Sequence, residues 1–416
     1  MEGASGRRRL VGAAAALAVA TATVARLHAQ EMVGVQVTPV LTRADPVPGG
    51  SARTELRLNA PLLFGSLRLA GGRLVLHAML NGEGWTMPHG QLATGNFGEG
   101  WEDRRHPHTW AHELIAAATD LVALPGGVHW SLTAGKGFAP YGTDDPMNRP
   151  ALIFPVDHHW SQILERAILI LGVRRGALLV EVGVFNGDEP ERFSQWPNWQ
   201  RFGDSWSARA HLLPTRGVEL QASYAHVKSP ENRPGAGPWH QKVSISARLE
   251  RAAGAGHLYG LAEWAFNSEA DGFFKYYAGL AEAQWSHGAD RVYARLERSD
   301  RPEEERVFGD PFRSNRPHLE NSNLGITRWT IATAGYGRRL TPAHLPLRME
   351  AIGEAACARA RALTGLFDVA SYFGRNDLWQ FSVALRIGAG ASPHRMGRYG
   401  VAAGMAPTMA RAHAMD

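Results

Sequence analysis

Histidine side chains are concentrated between residues 84 and 113, and this is where the sequence could best support metal chemistry. His106, His108 and His112 are separated by even numbers of residues, so in an extended chain their side chains lie on one face. Imidazole nitrogens are good ligands for zinc and copper. The candidate metal ligands, including two histidines from the next long loop, are His89, His106, His108, His112, His158 and His159. The alternative is a set of solvated or hydrogen-bonded loop histidines, because no fixed ligand spacing is met.

A second candidate set consists of charged residues that alternate with apolar residues along several segments of the chain. In the run 204–213, apolar residues such as Trp206 and Ala208 alternate with polar residues such as Ser207 and Arg209. Strict period two is typical of a strand with a different environment on each face. If the apolar face contacts lipid, the polar face lines a lumen. The predicted lining residues are Arg166, Glu181, Arg209, Glu219, Lys242, Arg248, Glu250, Glu263, Glu282, Arg291, Arg295, Glu297, Arg348, Glu350, Glu354 and Arg386.

The charges in this lining set cancel, because eight are basic and eight are acidic. Rings of one charge select ions by sign, so a balanced wall predicts weak ion preference. The alternative is that arginine and glutamate side chains pair across the wall and brace it. Arg295, Glu297 and Arg298 are the best candidates for such pairing.

Residue pairs that could support catalysis are few. Ser205 with His211, and Ser223 with His226, could be read as a nucleophile and its base. Neither pair belongs to a motif. We therefore predict that the protein is not an enzyme, and no cofactor is predicted.

The N-terminus has the three parts of a secretory signal peptide. Arg7, Arg8 and Arg9 precede an apolar run from Leu10 to Val24, and Ala29 stands at a cleavage edge before Gln30. Removing residues 1–29 lowers the formal net charge from +5 to +2, so nucleic acid is not a predicted partner. Cys357 is the only cysteine, which excludes a disulfide framework.

Alternating runs continue along nearly the whole mature chain and give sixteen candidate strands. Their predicted ranges are 32–41, 54–69, 73–83, 111–122, 128–138, 160–172, 176–187, 204–213, 217–227, 239–251, 256–266, 275–286, 290–299, 323–339, 346–357 and 378–388. The connections alternate between short and mostly long, so the long loops all lie at one end. Aromatic residues, among them Trp160, Phe185, Trp206, Trp264, Tyr276 and Trp379, gather near the long-loop ends of the strands.

Two all-β folds fit such alternation, a soluble sandwich and a membrane barrel. The run length of about ten residues and the scarcity of amphipathic helices favour the barrel. We predict that residues 30–388 form an all-β, transmembrane, antiparallel barrel of about sixteen strands (14–18). Its periplasmic turns should be short, its extracellular loops long, and an aromatic belt should mark the membrane surface.

With this architecture, the mature chain resembles the bacterial outer-membrane porins over its whole length, and loosely the phosphate-selective type. The resemblance rests on architecture and includes no diagnostic motif. It implies an outer-membrane location in contact with lipid, passive diffusion of small hydrophilic solutes, and often a homotrimer. The balanced lining charges argue against phosphate selectivity. The alternative function is a non-conducting structural, adhesion or metal-binding outer-membrane barrel.

Two parts of the chain depart from a plain barrel. The tail 389–416 follows the last strand, where such barrels usually end; it could fold back as a plug, lie disordered in the periplasm or supply a further strand. In many porins a long loop narrows the pore, and either 84–110 or 139–159 could do so. The charged residues available there are Arg104, Arg105, Asp144, Asp145 and Arg149.

Overall fold

The computed structural model describes residues 31–87, 91–93, 108–143, 145–156, 158–190, 192–228, 239–303, 306–308, 310–314, 324–341 and 346–403. Its strands are β1 (Glu31–Asp45), β2 (Arg53–Leu69), β3 (Leu74–Asn81), β4 (Ala111–Thr119), β5 (Val128–Gly137), β6 (Arg166–Arg175), β7 (Leu178–Phe185), β8 (Ser205–Leu212), β9 (Val218–Lys228), β10 (Trp239–Ala253), β11 (Gly256–Glu269), β12 (Phe274–His287), β13 (Asp290–Glu303), β14 (Arg306–Val307), β15 (Asp310–Ser314), β16 (Gly325–Arg339), β17 (Leu347–Gly365) and β18 (Asp377–Gly390). Short helices span Glu83–Thr86, His158–Ser161 and Val369–Phe373. None of the helices among the described residues is long and apolar enough to cross a membrane.

Sixteen of these strands form one closed antiparallel barrel. Each barrel strand pairs with its neighbours along the chain, and β13 pairs with β16 because β14 and β15 form a separate two-stranded ribbon. The barrel closes where β1 pairs with β18, with Val37 opposite Ile387. In the part of the chain that the structure describes, the closed barrel has no unpaired strand edge, as a barrel in lipid requires.

Side chains alternate between the two faces of the wall, as strand β8 shows. Ser207, Arg209 and His211 are buried on the inside, whereas Trp206 and Leu212 are exposed on the outside. An outer surface of apolar side chains around a closed barrel matches a lipid-facing wall. The prediction of an all-β transmembrane barrel with sixteen strands is therefore confirmed.

The connections differ in length between the two ends of the barrel. Tight turns join β6 to β7, β10 to β11 and β12 to β13, and the last two use Gly254 and Gly288, each with a positive φ that glycine adopts without strain. The opposite end carries long connections, including 82–110, 138–165 and 186–204. Two connections at that end are short, because β1 and β2 are separated only by residues 46–52 and β11 and β12 only by residues 270–273.

The two largest errors in the predicted strand boundaries concern β6 and β17. A strand was predicted over 160–172, but a short helix occupies His158–Ser161 and β6 begins only at Arg166. The residues between them belong to a loop inside the barrel, and they are buried apart from a partly buried Leu164. Strand β17 was predicted to end at 357, but it continues to Gly365 in register with β16.

The predicted aromatic belt is only partly correct. Trp206, Trp264 and Trp379 are exposed on the outer wall. In contrast, Trp160, Phe185 and Tyr276 are buried inside the barrel, where the rings of Trp160 and Tyr276 stack at 4.7 Å between centroids. These side chains help to pack the interior and do not lie at the membrane surface.

Two segments pack against the inner wall of the barrel. We call residues 138–165 the inner loop and residues 391–403 the C-terminal plug. Buried residues of both segments pack against inward-facing wall residues: Phe138 of the inner loop and Met396 of the plug join Phe64 and Met79 in one apolar cluster. The plug ends, among the described residues, with a short turn at Gly400–Ala402 that contacts β4, β5 and β6.

Candidate functional site: the barrel lumen

The inner loop crosses the lumen and is held on the far wall by hydrogen bonds from its backbone. The N–H of Leu152 donates to Glu354 of β17 at 2.7 Å, and the N–H of Val156 donates to Glu297 of β13 at 2.9 Å. Arg291 of β13 donates to the carbonyl of Pro150 at 3.0 Å. Carboxylates of the wall thus satisfy backbone donors of a buried loop, as buried polar groups require.

Arg149 of the inner loop lies close to two carboxylates of the barrel wall. Its guanidinium lies 3.4 Å from Glu263 of β11 and 4.0 Å from Glu282 of β12. All three side chains are buried. The loop therefore brings a positive charge to two wall carboxylates that would otherwise be buried close together, which is costly for unpaired charge.

The described part of the loop before β4 also enters the lumen. Arg57 of β2 donates to the carbonyl of Leu92, and Gln91 donates to the carbonyl of Leu152 in the inner loop. The two loops predicted as constrictions therefore contact each other inside the barrel. Asp145 and Arg149 are buried there, whereas Arg104, Arg105 and Asp144 lie outside the described residues.

The C-terminal plug is anchored to the opposite side of the wall. Arg395 donates to both carboxylate oxygens of Glu219 on β9, at 2.8 and 3.2 Å. Arg209 of β8 donates to the carbonyl of Gly397 at 2.8 Å, and the N–H of Val401 donates to Ser131 of β5 at 3.1 Å. Of the three arrangements considered for the tail, the structure shows the folded-back one for residues 391–403.

The plug also touches the start of the inner loop through Tyr399. The N–H of Phe138 donates to the Tyr399 hydroxyl at 3.1 Å, and that hydroxyl donates to Glu113 of β4. Because the hydroxyl bridges a loop and a strand, the position of the plug is coupled to that of the inner loop.

Most of the predicted lining residues do not border open solvent. All except Arg348, Glu350 and Arg386 are buried. Contacts with the inner loop and the plug cover several of them, among them Glu354, Glu263 and Glu219. Several form close pairs, namely Arg209–Glu181, Arg295–Glu297, Arg248–Glu250, Arg291–Glu350 and Arg386–Glu350.

The prediction that arginine and glutamate brace the wall is correct for Arg295 and Glu297, which are 3.2 Å apart. It is wrong for Arg298. That side chain is exposed on the outer face, because it is an odd number of positions from Arg295 on the same strand.

Two carboxyl groups of the inner loop have pKa values that differ from the ordinary ones. Burial raises the pKa of Asp145 to about 6, against the opposing effects of His112, the Met147 N–H and Arg149. For Glu165, burial acts in the raising direction but is outweighed by Lys136 and by the hydrogen bond with His112, and its pKa is lowered to about 2. Of these two carboxyl groups, Asp145 therefore titrates closer to neutral pH.

The predicted histidine ligands are only partly brought together. The rings of His108 and His112 stack at 5.1 Å, and His112 Nδ1 lies 2.8 Å from Glu165. His158 Nδ1 bonds instead to the carbonyl of Pro155. His89, His106 and the side chain of His159 lie outside the described residues.

A different group of ligand atoms converges in the structure. Among the described residues, only His77, Glu113 and His394 form a group of three whose ligand atoms all lie within 4.8 Å of one another. None of these three residues is among the metal ligands predicted from the sequence. The available signal was period two along β3, which places His77 on the inward face with Met79.

The two serine–histidine pairs considered for catalysis are not in contact. Ser205 donates to Asp204 and accepts from the N–H of Lys228, while His211 lies beside Glu181 and Glu219. Ser223 accepts from Gly142 on the inner face, while the ring of His226 stacks on Trp239 at 4.2 Å.

No protein-family model matches the chain, and no curated protein matches it either. Solved structures similar to it include an anion-selective porin from Comamonas acidovorans, with a TM-score of 0.48, 12% identity, and coverage of 87% of this chain and 99% of that one. A trimer form of OmpT, an outer membrane protein of Vibrio cholerae, has a TM-score of 0.48 and 8% identity over 86% and 98% of the two chains. OccK2 of Pseudomonas aeruginosa in complex with glucuronate has a TM-score of 0.40 and 8% identity over 87% and 98%.

Proposed function

We propose that this protein is an outer-membrane channel for passive diffusion of small hydrophilic solutes through a lumen of mixed charge. One observation carries the proposal: a closed barrel of sixteen strands has an apolar outer wall and a charged inner wall. Barrels of 16–18 strands are wide enough for an aqueous channel. An inner wall that other residues simply covered could carry apolar side chains, because burying them has no desolvation cost of the kind that charged groups have.

The accessible charges lie at the short-turn end of the lumen. Arg348 is exposed, and Glu350 and Arg386 are partly exposed, at the ends of β17 and β18 that adjoin the short turns. A solute entering there meets these side chains before it reaches the plug and the inner loop. We infer that the two segments set the size limit, and that the accessible arginines give a weak preference for anions.

Solute flux into vesicles tests the proposal. Purified, folded protein is reconstituted into liposomes, and swelling is followed after addition of glucose, an amino acid or a large oligosaccharide. We expect swelling with the small solutes and none with the oligosaccharide. Heat-unfolded protein in the same lipid is the control, and equal rates for folded and unfolded samples would contradict the proposal.

A second candidate function is a non-conducting structural or adhesion barrel. The burial of nearly all predicted lining residues under the inner loop and the plug favours it. The two candidates differ in flux: a folded barrel that admits no solute, with or without the plug, belongs to the second class.

Three further features remain predictions of this proposal. They are cleavage of a signal peptide at residues 1–29, location in the outer membrane and assembly as a homotrimer. Export of the full chain from a Gram-negative host, followed by N-terminal sequencing of the outer-membrane fraction, should give Gln30 as the first residue. Cross-linking in that membrane should give a species of three chains.

A further inference from the structure

We propose that His77, Glu113 and His394 bind one divalent transition-metal ion, with zinc as the best match, and that this ion holds the C-terminal plug against the barrel wall. The wall supplies two ligands and the plug supplies the third. The site differs from the histidine set suggested by spacing alone, and neither its ligands nor its position depends on the proposed channel function.

The two wall ligands come from adjacent strands and face the lumen. In the β3–β4 register Met79 is opposite Glu113, and His77 lies two positions from Met79 on the same face. The side chains of His77 and Glu113 are therefore diagonal neighbours on the inner wall. His394 reaches them from the plug, and its ring centroid lies 3.8 Å from that of His77.

The ligand spacing fits a tetrahedral ion. Glu113 Oε2 lies 3.4 Å from His77 Nε2 and 3.2 Å from His394 Nε2. Two ligand atoms that are each about 2.0 to 2.1 Å from a tetrahedral zinc ion lie roughly 3.3 Å apart. The two distances from Glu113 Oε2 match this spacing, and all three ligand atoms lie within 4.8 Å of one another.

The surrounding hydrogen bonds leave the metal-facing atoms available. Glu113 Oε1 accepts from Tyr399 and from the N–H of Gly397, whereas no donor among the described residues hydrogen-bonds to Oε2, although Glu113 is fully buried. Nδ1 of His77 lies 2.9 Å from Ser66 Oγ. An Nδ1–H donated to that hydroxyl directs the lone pair of Nε2 toward Glu113, which is how outer partners orient metal-binding histidines.

The donor set indicates the class of ion. Two imidazoles and one carboxylate suit zinc, and three protein ligands leave a fourth position open. The His394 side chain is 27% exposed, so an ion can enter from the lumen. Without an ion, a buried carboxylate oxygen would face two imidazole nitrogens with no hydrogen bond of good geometry, which costs free energy.

Zinc binding to the full-length folded protein is the first test. Protein stripped with a chelator is titrated with zinc by calorimetry, alongside H394A, E113Q and the control H129A, whose exposed imidazole contacts Asp120 at 2.7 Å. We expect one equivalent of zinc with wild type and H129A. Loss of a direct ligand in H394A or E113Q should weaken binding by more than about 100-fold, the upper end of the effect of losing an outer partner.

E113Q keeps an oxygen atom that can accept hydrogen bonds from Tyr399 and Gly397. A folded E113Q variant therefore loses the metal ligand but keeps the contact with the plug. The proposal fails if wild type binds no zinc, or if H394A and E113Q bind it as tightly as wild type. In the latter case the ion is held by other histidines.

Tryptic cleavage of the plug tests whether zinc holds the plug against the wall. Arg395 and Arg398 are trypsin sites that are buried in the plug. We expect zinc to slow cleavage at these residues in the wild type and to have no effect in H394A. Zinc binding that does not slow tryptic cleavage would contradict the proposal that the ion holds the plug against the wall. Neither measurement uses conductance, so their outcome is independent of whether the barrel is a channel.

Discussion

Arg395 of the C-terminal plug and Glu219 of strand β9 are 176 positions apart in the sequence and form a two-pronged ion pair, with contacts of 2.8 and 3.2 Å. Paired contacts of this kind between guanidinium and carboxylate are among the stronger hydrogen bonds in proteins. The pair fixes the plug against the wall, and together with the inner loop it determines how much of the barrel is open.

Removing the plug should open the channel. A chain truncated after Ser392 loses Arg395, Tyr399 and their wall contacts, so we expect a larger single-channel conductance than in the full-length protein. The matched control is a chain truncated after Ala403, which keeps the described plug and should conduct like the full-length protein. Equal conductance of both truncated chains would show that the plug does not limit flow.

Loss of Arg149 should destabilise the barrel. R149A leaves Glu263 and Glu282 without their loop partner in a buried site. Removing one member of a buried ion pair typically costs about 3–5 kcal/mol. Urea unfolding in lipid vesicles should show a loss of that order. The control R338A removes an exposed pair with Asp290 and should leave the free energy of unfolding nearly unchanged, because solvent screens such a pair. Similar losses in both variants would mean that Arg149 does not anchor the loop.

Stability should depend on pH through Asp145. Its pKa is about 6 in the folded protein, chiefly because of burial, and higher than the ordinary value of 3.8. A raised pKa means that the neutral carboxyl favours the folded state at low pH and that this contribution is lost as the pH rises through 6. We expect the melting temperature of D145N to exceed that of the wild type above pH 7, and the difference to shrink below pH 4.

The control for this experiment is D377N, at an exposed position on the long-loop rim, which should leave the pH profile of the melting temperature unchanged. A D145N profile parallel to that of the wild type would show that Asp145 keeps an ordinary acidity.

Ion preference should respond to Arg386. This side chain is partly exposed to the lumen and pairs with Glu350 at 3.2 Å. In R386Q, Glu350 keeps its contact with Arg291, but the lumen loses one positive charge. We expect the reversal potential under a salt gradient to shift toward cations, because charges near the path select by sign. R298Q, on the outer face, should cause no shift.

The sequence was sufficient to predict the barrel because period two reports a contrast between the two faces of a strand. That contrast placed Arg209 and Glu263 on the inside and Trp206 on the outside, as observed. The alternation of polar and apolar residues does not show whether water or protein lies against the polar face of a strand. Water and a polar loop both satisfy Arg209, so its burial by the plug could not be predicted from its strand.

The metal-binding group was beyond sequence reasoning for a related reason. His77 and His394 are in contact only because the plug folds back across the lumen, and no local spacing encodes that return. The histidines at 106, 108 and 112 gave a stronger pattern in the sequence. However, Glu165, which the sequence did not single out, is the residue that contacts His112.

The most direct test of the central claim is single-channel conductance of the full-length, folded protein in a planar lipid bilayer. A diffusion channel through a sixteen-strand barrel should give discrete current steps and a small reversal potential under a salt gradient. If the folded barrel gives no steps, and the chain truncated after Ser392 gives none either, the barrel does not conduct and the channel function is wrong.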